Sequence, residues 1–292
     1  TLTRSRLTCD GGLDKSFYYS RLTTNGAGTS LGVNSRAGYF HRIEHGTRFL
    51  CGDGKTVTLS LYARSTIANK KLGLWLRQSY GTGGSPSSTE DIAGGYVTLT
   101  SSWVRYEWTF TTNTLSGKTF GTNNDDTLDI WLQYVWGDTY GDSKGLTGAE
   151  TYGGSGYMDI AQVQLNAGSV ALPFFPKSYA QELMDCQRYY YRIGGGTYTA
   201  FGWGIGSGST INNWLYVNLP VPMRVIPSSV AWGGNINFAG ANVSSMTTNN
   251  FVGNNLLMRL NCTTTTTTAG RIYQVEANNS TSAYIAFDAD LL

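Results

Sequence analysis

Apolar and polar residues alternate through most of the first half of the chain. From Lys55 to Arg64, Val57, Leu59, Leu61 and Ala63 alternate with Thr56, Thr58, Ser60 and Tyr62, the two-residue period of a strand with one buried face. The same period puts Leu72, Leu74 and Leu76 on one face of KLGLWLRQ, and Val104, Tyr106, Trp108 and Phe110 on one face of VRYEWTFT. In LDIWLQYVW, Leu128, Ile130, Leu132 and Tyr134 share a face, with Trp131 and Val135 on the other. The turn clusters GTGGSPSST, NTLSGK, TNNDD and GDTYGDSKG separate these segments. Several strands at this spacing, with no helical period between them, predict a β-sandwich.

One segment departs from the pattern. In SYAQELMDCQRYYYRI, Tyr179, Leu183, Cys186 and Tyr190 recur at spacings of four, three and four, which is a helical stripe. Ser178 with Gln181 forms a capping box, Pro176 stops the preceding strand, and Gly194, Gly195 and Gly196 end the segment. A helix of about three turns is expected here, marking or bridging a domain boundary. Beyond it the β pattern returns. NNWLYVNLPVPM carries two prolines near a strand end, suited to an edge or a chain turn, and LLMRLNCTTTTTT and AYIAFDADLL read as closing strands. The threonine run Thr263 to Thr268 is expected as a strand or strand end, because threonine favours strands and apolar residues flank it.

At 292 residues the chain exceeds one typical domain, so two cores are expected. Only 14% of residues are charged, and the polar surface is built from Ser, Thr, Asn, Gln and Gly. The net charge of +2 and the scattered basic residues, with one pair at Lys70 and Lys71, argue against nucleic acid as a partner. No apolar run approaches the ~20 residues that span a membrane, and no leader is expected. Cys9, Cys51, Cys186 and Cys262 are widely spread without a CxxC pair; buried thiols are expected, with a Cys9–Cys51 disulfide as the alternative.

Several short motifs suggest chemistry. HRIEH, His41 to His45, spells a zinc-protease pattern, but that chemistry needs a helix; on a strand the two histidines stand ~13 Å apart. GTSLG, Gly28 to Gly32, matches a nucleophile elbow, yet the histidines follow too early for that chain order, leaving a glycine turn. Glycoside hydrolysis requires two carboxylates ~5 to 10 Å apart. Glu107, Asp129 and Asp159 on strands, and Glu90, Asp91, Asp138, Asp142 and Glu150 in loops, are available, and nothing selects a pair. No catalytic residue is therefore assigned. The loops NNDD, with Asp125 and Asp126, and GDTYGDSKG, with Asp138 and Asp142, offer oxygen ligands for a structural calcium without EF-hand spacing, Asp125 and Asp126 being the candidate pair; no other cofactor is expected. Sugar binding uses aromatic platforms flanked by hydrogen-bonding side chains. Loop aromatics are the informative ones, since strand aromatics belong mostly to cores. These are Trp136, Tyr140 and Tyr152 near the loop after LDIWLQYV, and Tyr198, Trp203 and Trp232 in the second half.

Three stretches together resemble bacteriophage tail-fibre and head-spike proteins. They are His41 to Ser65; GTGGSPSS followed by GGYVTLTSSWVRYEWTF; and Met158 to Ile193. The third has both a VQLxxGxxAxPF strand, from Val163 to Phe174, and an ELxxCQRYY helix, from Glu182 to Tyr190. The resemblance covers roughly residues 20 to 193, with a weaker likeness of the final stretch to a small closing β-domain. The strand pattern already predicts an all-β chain, and the resemblance agrees with it. A jelly-roll-like β-sandwich, similar to carbohydrate-binding modules, would occupy residues 1–176, a connecting helix 177–193, and a second, smaller antiparallel β-domain 194–292. It further implies a homotrimeric virion protein that touches other virion proteins and binds bacterial surface polysaccharide without catalysis. Arg188, Tyr189 and Tyr190 would then pack between sandwiches or subunits, the alternative being an ordinary surface helix. The competing functions are a polysaccharide depolymerase and a purely architectural capsid-decorating protein.

Overall fold

The computed structural model describes residues 1–9, 13–14, 16–227, 229–252 and 256–290. It divides into two compact units, Thr1–Pro176 and Lys177–Leu292.

The first unit contains β1 (Leu2–Thr8), β2 (Tyr18–Thr24), β3 (Arg36–Glu44), α1 (Gly46–Leu50), β4 (Thr56–Ser65), β5 (Lys71–Ser79), β6 (Glu90–Thr98), β7 (Val104–Thr111), β8 (Thr127–Trp136), α2 (Asp138–Asp142) and β9 (Gly156–Ala167). One sheet has the order β1-β2-β9-β4-β7 and the other β3-β8-β5-β6. Every pairing is antiparallel. The chain changes sheet at every connection except β1–β2 and β5–β6, so β2 to β9 wind as a jelly roll and β1 extends one sheet. The alternation seen in the sequence builds the core. Val57, Leu59, Leu61, Leu72, Leu74, Leu76, Leu128 and Tyr134 are fully enclosed, with Ile130, Leu132 and Phe110 beside them.

The second unit contains α3 (Tyr179–Gln187), β10 (Tyr190–Gly194), β11 (Ala200–Ile205), β12 (Asn213–Asn218), β13 (Val230–Gly233), β14 (Ile236–Phe238), β15 (Ala241–Asn242), β16 (Ser245–Val252), β17 (Leu257–Thr263), β18 (Ile272–Ala277) and β19 (Tyr284–Asp288). A seven-stranded sheet, β15-β14-β18-β11-β12-β17-β16, accompanies a three-stranded one, β10-β19-β13. Leu215, Val217, Met258, Leu260, Val275, Ile285 and Phe287 form its core. β12 is interior, and Pro220 and Pro222 lie beyond its end, in the chain turn. The threonine run is a strand end: β17 stops at Thr263, and the Thr267 hydroxyl donates to Asn213 Oδ1 at 2.7 Å.

The structure departs from the sequence expectations in three places. Two short helices, α1 and α2, stand where strand or turn was expected. Helix α3 starts as expected, with Gln181 N–H donating to Ser178 Oγ at 3.3 Å, but none of its residues is buried. Its apolar stripe, Tyr179, Leu183 and Cys186, lies exposed, and the segment is nine residues long, giving way at Tyr190 to β10. The third is the cysteines, expected as buried thiols: Cys9 is half-buried and Cys186 exposed, and no disulfide is present among the described residues. Cys51 and Cys262 are buried, and burial pushes both thiols up to about 12, which leaves them unreactive.

Candidate functional site

The outward face of the β3-β8-β5-β6 sheet carries a row of stacked aromatics. β3 to β8 and β8 to β5 pairing places Phe40, Trp131 and Trp75 directly opposite one another across three strands. Their side chains point away from the core because Tyr39, Leu132, Leu74 and Leu76, in the opposite phase, point into it. Phe40 stacks on Trp131 with ring centroids 5.1 Å apart, and Trp131 on Trp75 at 4.8 Å with planes 6° apart. Such contacts add about 0.5–1.5 kcal/mol beyond area burial, so they hold the row in one orientation.

Exposure is graded along the row. Trp75 is enclosed by Trp136 at the end of β8 and by Tyr140 and Leu146, which α2 and the loop after it fold over the sheet. Phe40, at the far end, remains 56% exposed. A shallow open groove of about 240 Å³ lies at that end, lined by Arg36, Ala37, Gly38, Tyr39, Phe40, Trp131 and Gln133. The indole N–H of Trp131 and the carboxamide oxygen of Gln133 lie beneath it without a hydrogen-bond partner in the protein. Orphaned buried groups of this kind cost about 1–3 kcal/mol each.

A charged row runs beside the aromatic one. Register places Arg42, Asp129, Arg77 and Asp91 opposite one another on successive strands. Arg77 Nε donates to Asp91 Oδ1 at 2.7 Å, and Lys144 Nζ donates to the other Asp91 oxygen. Burial raises the Asp91 carboxyl, but these bonds and charges outweigh it and hold it below the ordinary carboxylate range. Asp129 accepts from Thr127 Oγ1 at 2.7 Å, and its burial pushes its carboxyl up despite Arg42 and Arg77. The guanidinium of Arg77 sits 5.0 Å from the Trp75 centroid and that of Arg42 5.5 Å from Phe40. Aromatic faces bordered by fixed donors and acceptors can stack on the apolar face of a sugar ring and hydrogen-bond its hydroxyls.

The aromatics singled out in the sequence fall in different places. Trp136 is a correction: it is fully buried, and its indole N–H donates to Gly148 O at 2.7 Å. Tyr140 is likewise buried, covering Trp75. Tyr152 packs half-buried against the sandwich core. Trp232, on β13, packs half-buried against the core of the second unit. Tyr198 and Trp203 are exposed, at 64% and 62%. Phe40, Trp75 and Trp131 were missed because strand aromatics were assigned to the core. The available signal was phase: Asp129, Trp131 and Gln133 alternate with the core residues of β8, as Gly73, Trp75 and Arg77 do on β5.

The calcium pair is also a correction, since Asp125 and Asp126 serve different partners. Asp125 accepts from Thr82 N–H at 2.7 Å and from the Thr82 hydroxyl. Asp126 is buried and meets His45 Nδ1 at 2.9 Å and Arg48 Nη2 at 3.1 Å. Among the described residues no three His, Cys, Asp or Glu side chains group to hold a metal. His45 is therefore a carboxylate partner, while His41 lies on β3. The candidate carboxylates are mostly held in ion pairs: Asp159 by Arg21 and Arg64, Glu107 by Arg105, Glu90 by Lys118, Glu150 by Lys70. Asp159 and Asp129 lie on the outward faces of opposite sheets and cannot flank one substrate. Arg188 caps α3 and lies 5.9 Å from the Tyr189 ring centroid, Tyr189 is half-buried, and Tyr190 is exposed on β10.

No protein-family model matches the chain, and no curated protein matches it. Among solved structures it is similar to a xylan-binding domain from Paenibacillus barcinonensis, with 11% identity over 58% of this chain and 87% of that one, at a TM-score of 0.32. The N-terminal cellulose-binding domain of a β-1,4-glucanase from Cellulomonas fimi shows 15% identity over 57% and 90%, at 0.33. The tandem domain of the same Paenibacillus protein covers 98% of this chain and 83% of its own length, at 11% identity and 0.32. Likenesses this weak carry no function to the chain, and the jelly-roll assignment rests on its own strand order.

Proposed function

We propose that the protein binds polysaccharide without cleaving it, through the outward face of the β3-β8-β5-β6 sheet. The observation that carries this is the Phe40–Trp131–Trp75 stack, which ends in an open groove and is bordered by a row of alternating charges. The open rings are Phe40 and, beside it in the groove, Trp131, while the enclosed Trp75 buttresses them from behind, so a sugar ring can stack at the Phe40 end of the row. The setting on a phage particle, as a homotrimer among other virion proteins, is supported by the sequence pattern from Met158 to Ile193. In that setting the exposed Tyr190 and the open stripe of α3 are the surfaces for neighbouring copies.

The test is retention on an array of bacterial surface polysaccharides, with reducing ends counted in parallel. We expect retention without chain shortening, weakened about tenfold or more when Phe40 and Trp131 are both changed to alanine. New reducing ends would overturn the non-catalytic reading, and retention unaffected by the double substitution would overturn the site. Immunogold labelling of intact particles tests the virion setting, with label on the particle surface expected.

A further inference from the structure

The chain has eight tryptophans, and among the described residues only two are exposed, Trp203 and Trp214. Both lie on the outward face of the seven-stranded sheet in the second unit. The register puts Gln274, Trp203, Tyr216 and Arg259 in one row across β18, β11, β12 and β17. The next row is Ile272, Ile205, Trp214 and Asn261. The opposite phase, with Leu215, Leu260 and Val275, fills the core, so these side chains face outward as a set. Trp203 is 62% exposed and Ile272 66%, while the Arg259 guanidinium lies 5.3 Å from the Trp214 ring centroid.

We propose that this face is a second glycan-binding platform, taking the flat apolar faces of two or three neutral sugar rings. Its size decides between ligands. Three strand spacings by two residues along a strand give about 14 Å by 7 Å, on the order of 100–200 Å². A stable interface with a second copy of this chain needs about 800 Å² on each partner. The aromatics are ringed by Gln274, Asn261 and Arg259, neutral or singly charged hydrogen-bonding groups that match hydroxyls. The platform uses none of the residues of the first site, so either can fail alone.

The experiment compares the 292-residue chain with Trp203→Ala/Trp214→Ala and with Phe40→Ala/Trp131→Ala on the same polysaccharide array. The first pair is outward-facing, and circular dichroism checks that the fold is kept. Trp203→Phe/Trp214→Phe, which keeps flat rings, should restore retention. We expect Trp203→Ala/Trp214→Ala to lower retention of at least one glycan about tenfold. Loss in that variant with none in Phe40→Ala/Trp131→Ala supports this platform and overturns the first. Retention lost only with Phe40 and Trp131 overturns this platform and keeps the first. Retention of no glycan overturns both. A concentration-dependent dimer that the Trp203→Ala/Trp214→Ala variant abolishes in sedimentation would assign the face to a second copy and overturn the proposal.

Discussion

Lys70 follows the turn after β4 with its side chain wholly enclosed, an uncommon place for an ammonium group. Its Nζ donates to Glu150 Oε1 at 3.0 Å and to Thr151 O at 2.5 Å, and lies 4.0 Å from the Tyr134 ring centroid. Burial pushes its pKa down to about 8, against partial compensation from the Glu150 charge. In the unfolded chain the group titrates near 10.5, so between about pH 8 and 10.5 the unfolded state holds the extra proton. Stability contributed by Lys70 is therefore fully present above that window and is lost as pH falls through it, on the order of 3 kcal/mol in all. Lys70→Met should flatten this rise. Denaturant unfolding of both proteins from pH 7.5 to 10.5 measures it, and parallel stability curves for wild type and variant would refute the account.

Strand β8 shows what the sequence discloses and what it hides. Its inward residues, Leu128, Ile130, Leu132 and Tyr134, were legible because alternation with polar neighbours is a local signal. The same holds for β4 and β5, and for the cap of α3 at Ser178. The site was not legible, because Trp131 gains its role only from Phe40 and Trp75, brought opposite it by pairings across long stretches of chain. Nor did the sequence show that the loop after β8 would fold Tyr140 and Leu146 over the sheet and bury Trp136. Register is set partly by a bulge between Ala37 and Gly38, where a Cβ on Gly38 would stand 2.0 Å from the Leu132 carbonyl oxygen. That atom is backbone and cannot swing aside, so Gly38→Ala must push β3 from β8. We expect a loss of about 1–3 kcal/mol and weaker glycan retention, as Phe40 leaves its stack. Gly32→Ala, whose Cβ would meet only Ser35 Oγ at 3.8 Å, should stay within about 0.5 kcal/mol. Equal effects from the two substitutions would mean that the close approach at Gly38 does not set the register.

Each unit has its own enclosed core: the buried residues of one cluster run from Leu22 to Ile160 and those of the other from Phe201 to Ala289. A core that closes within one unit can melt without the other, because the apolar area it loses belongs to that unit alone. Calorimetry should therefore resolve two transitions. Leu132→Ala removes buried methyl groups from the first core and Leu260→Ala from the second, at about 2–5 kcal/mol each. Each should lower one transition by about 5 to 15 °C and leave the other in place. The pattern has a functional consequence: where Leu132→Ala brings the first unit's transition below the second's, the platform of the second unit should, between the two, still retain glycan while the first site is lost. A single transition shifted by both substitutions would show one cooperative unit. The two platforms would then share one stability, and their contributions could be separated only by the outward-facing tryptophan variants.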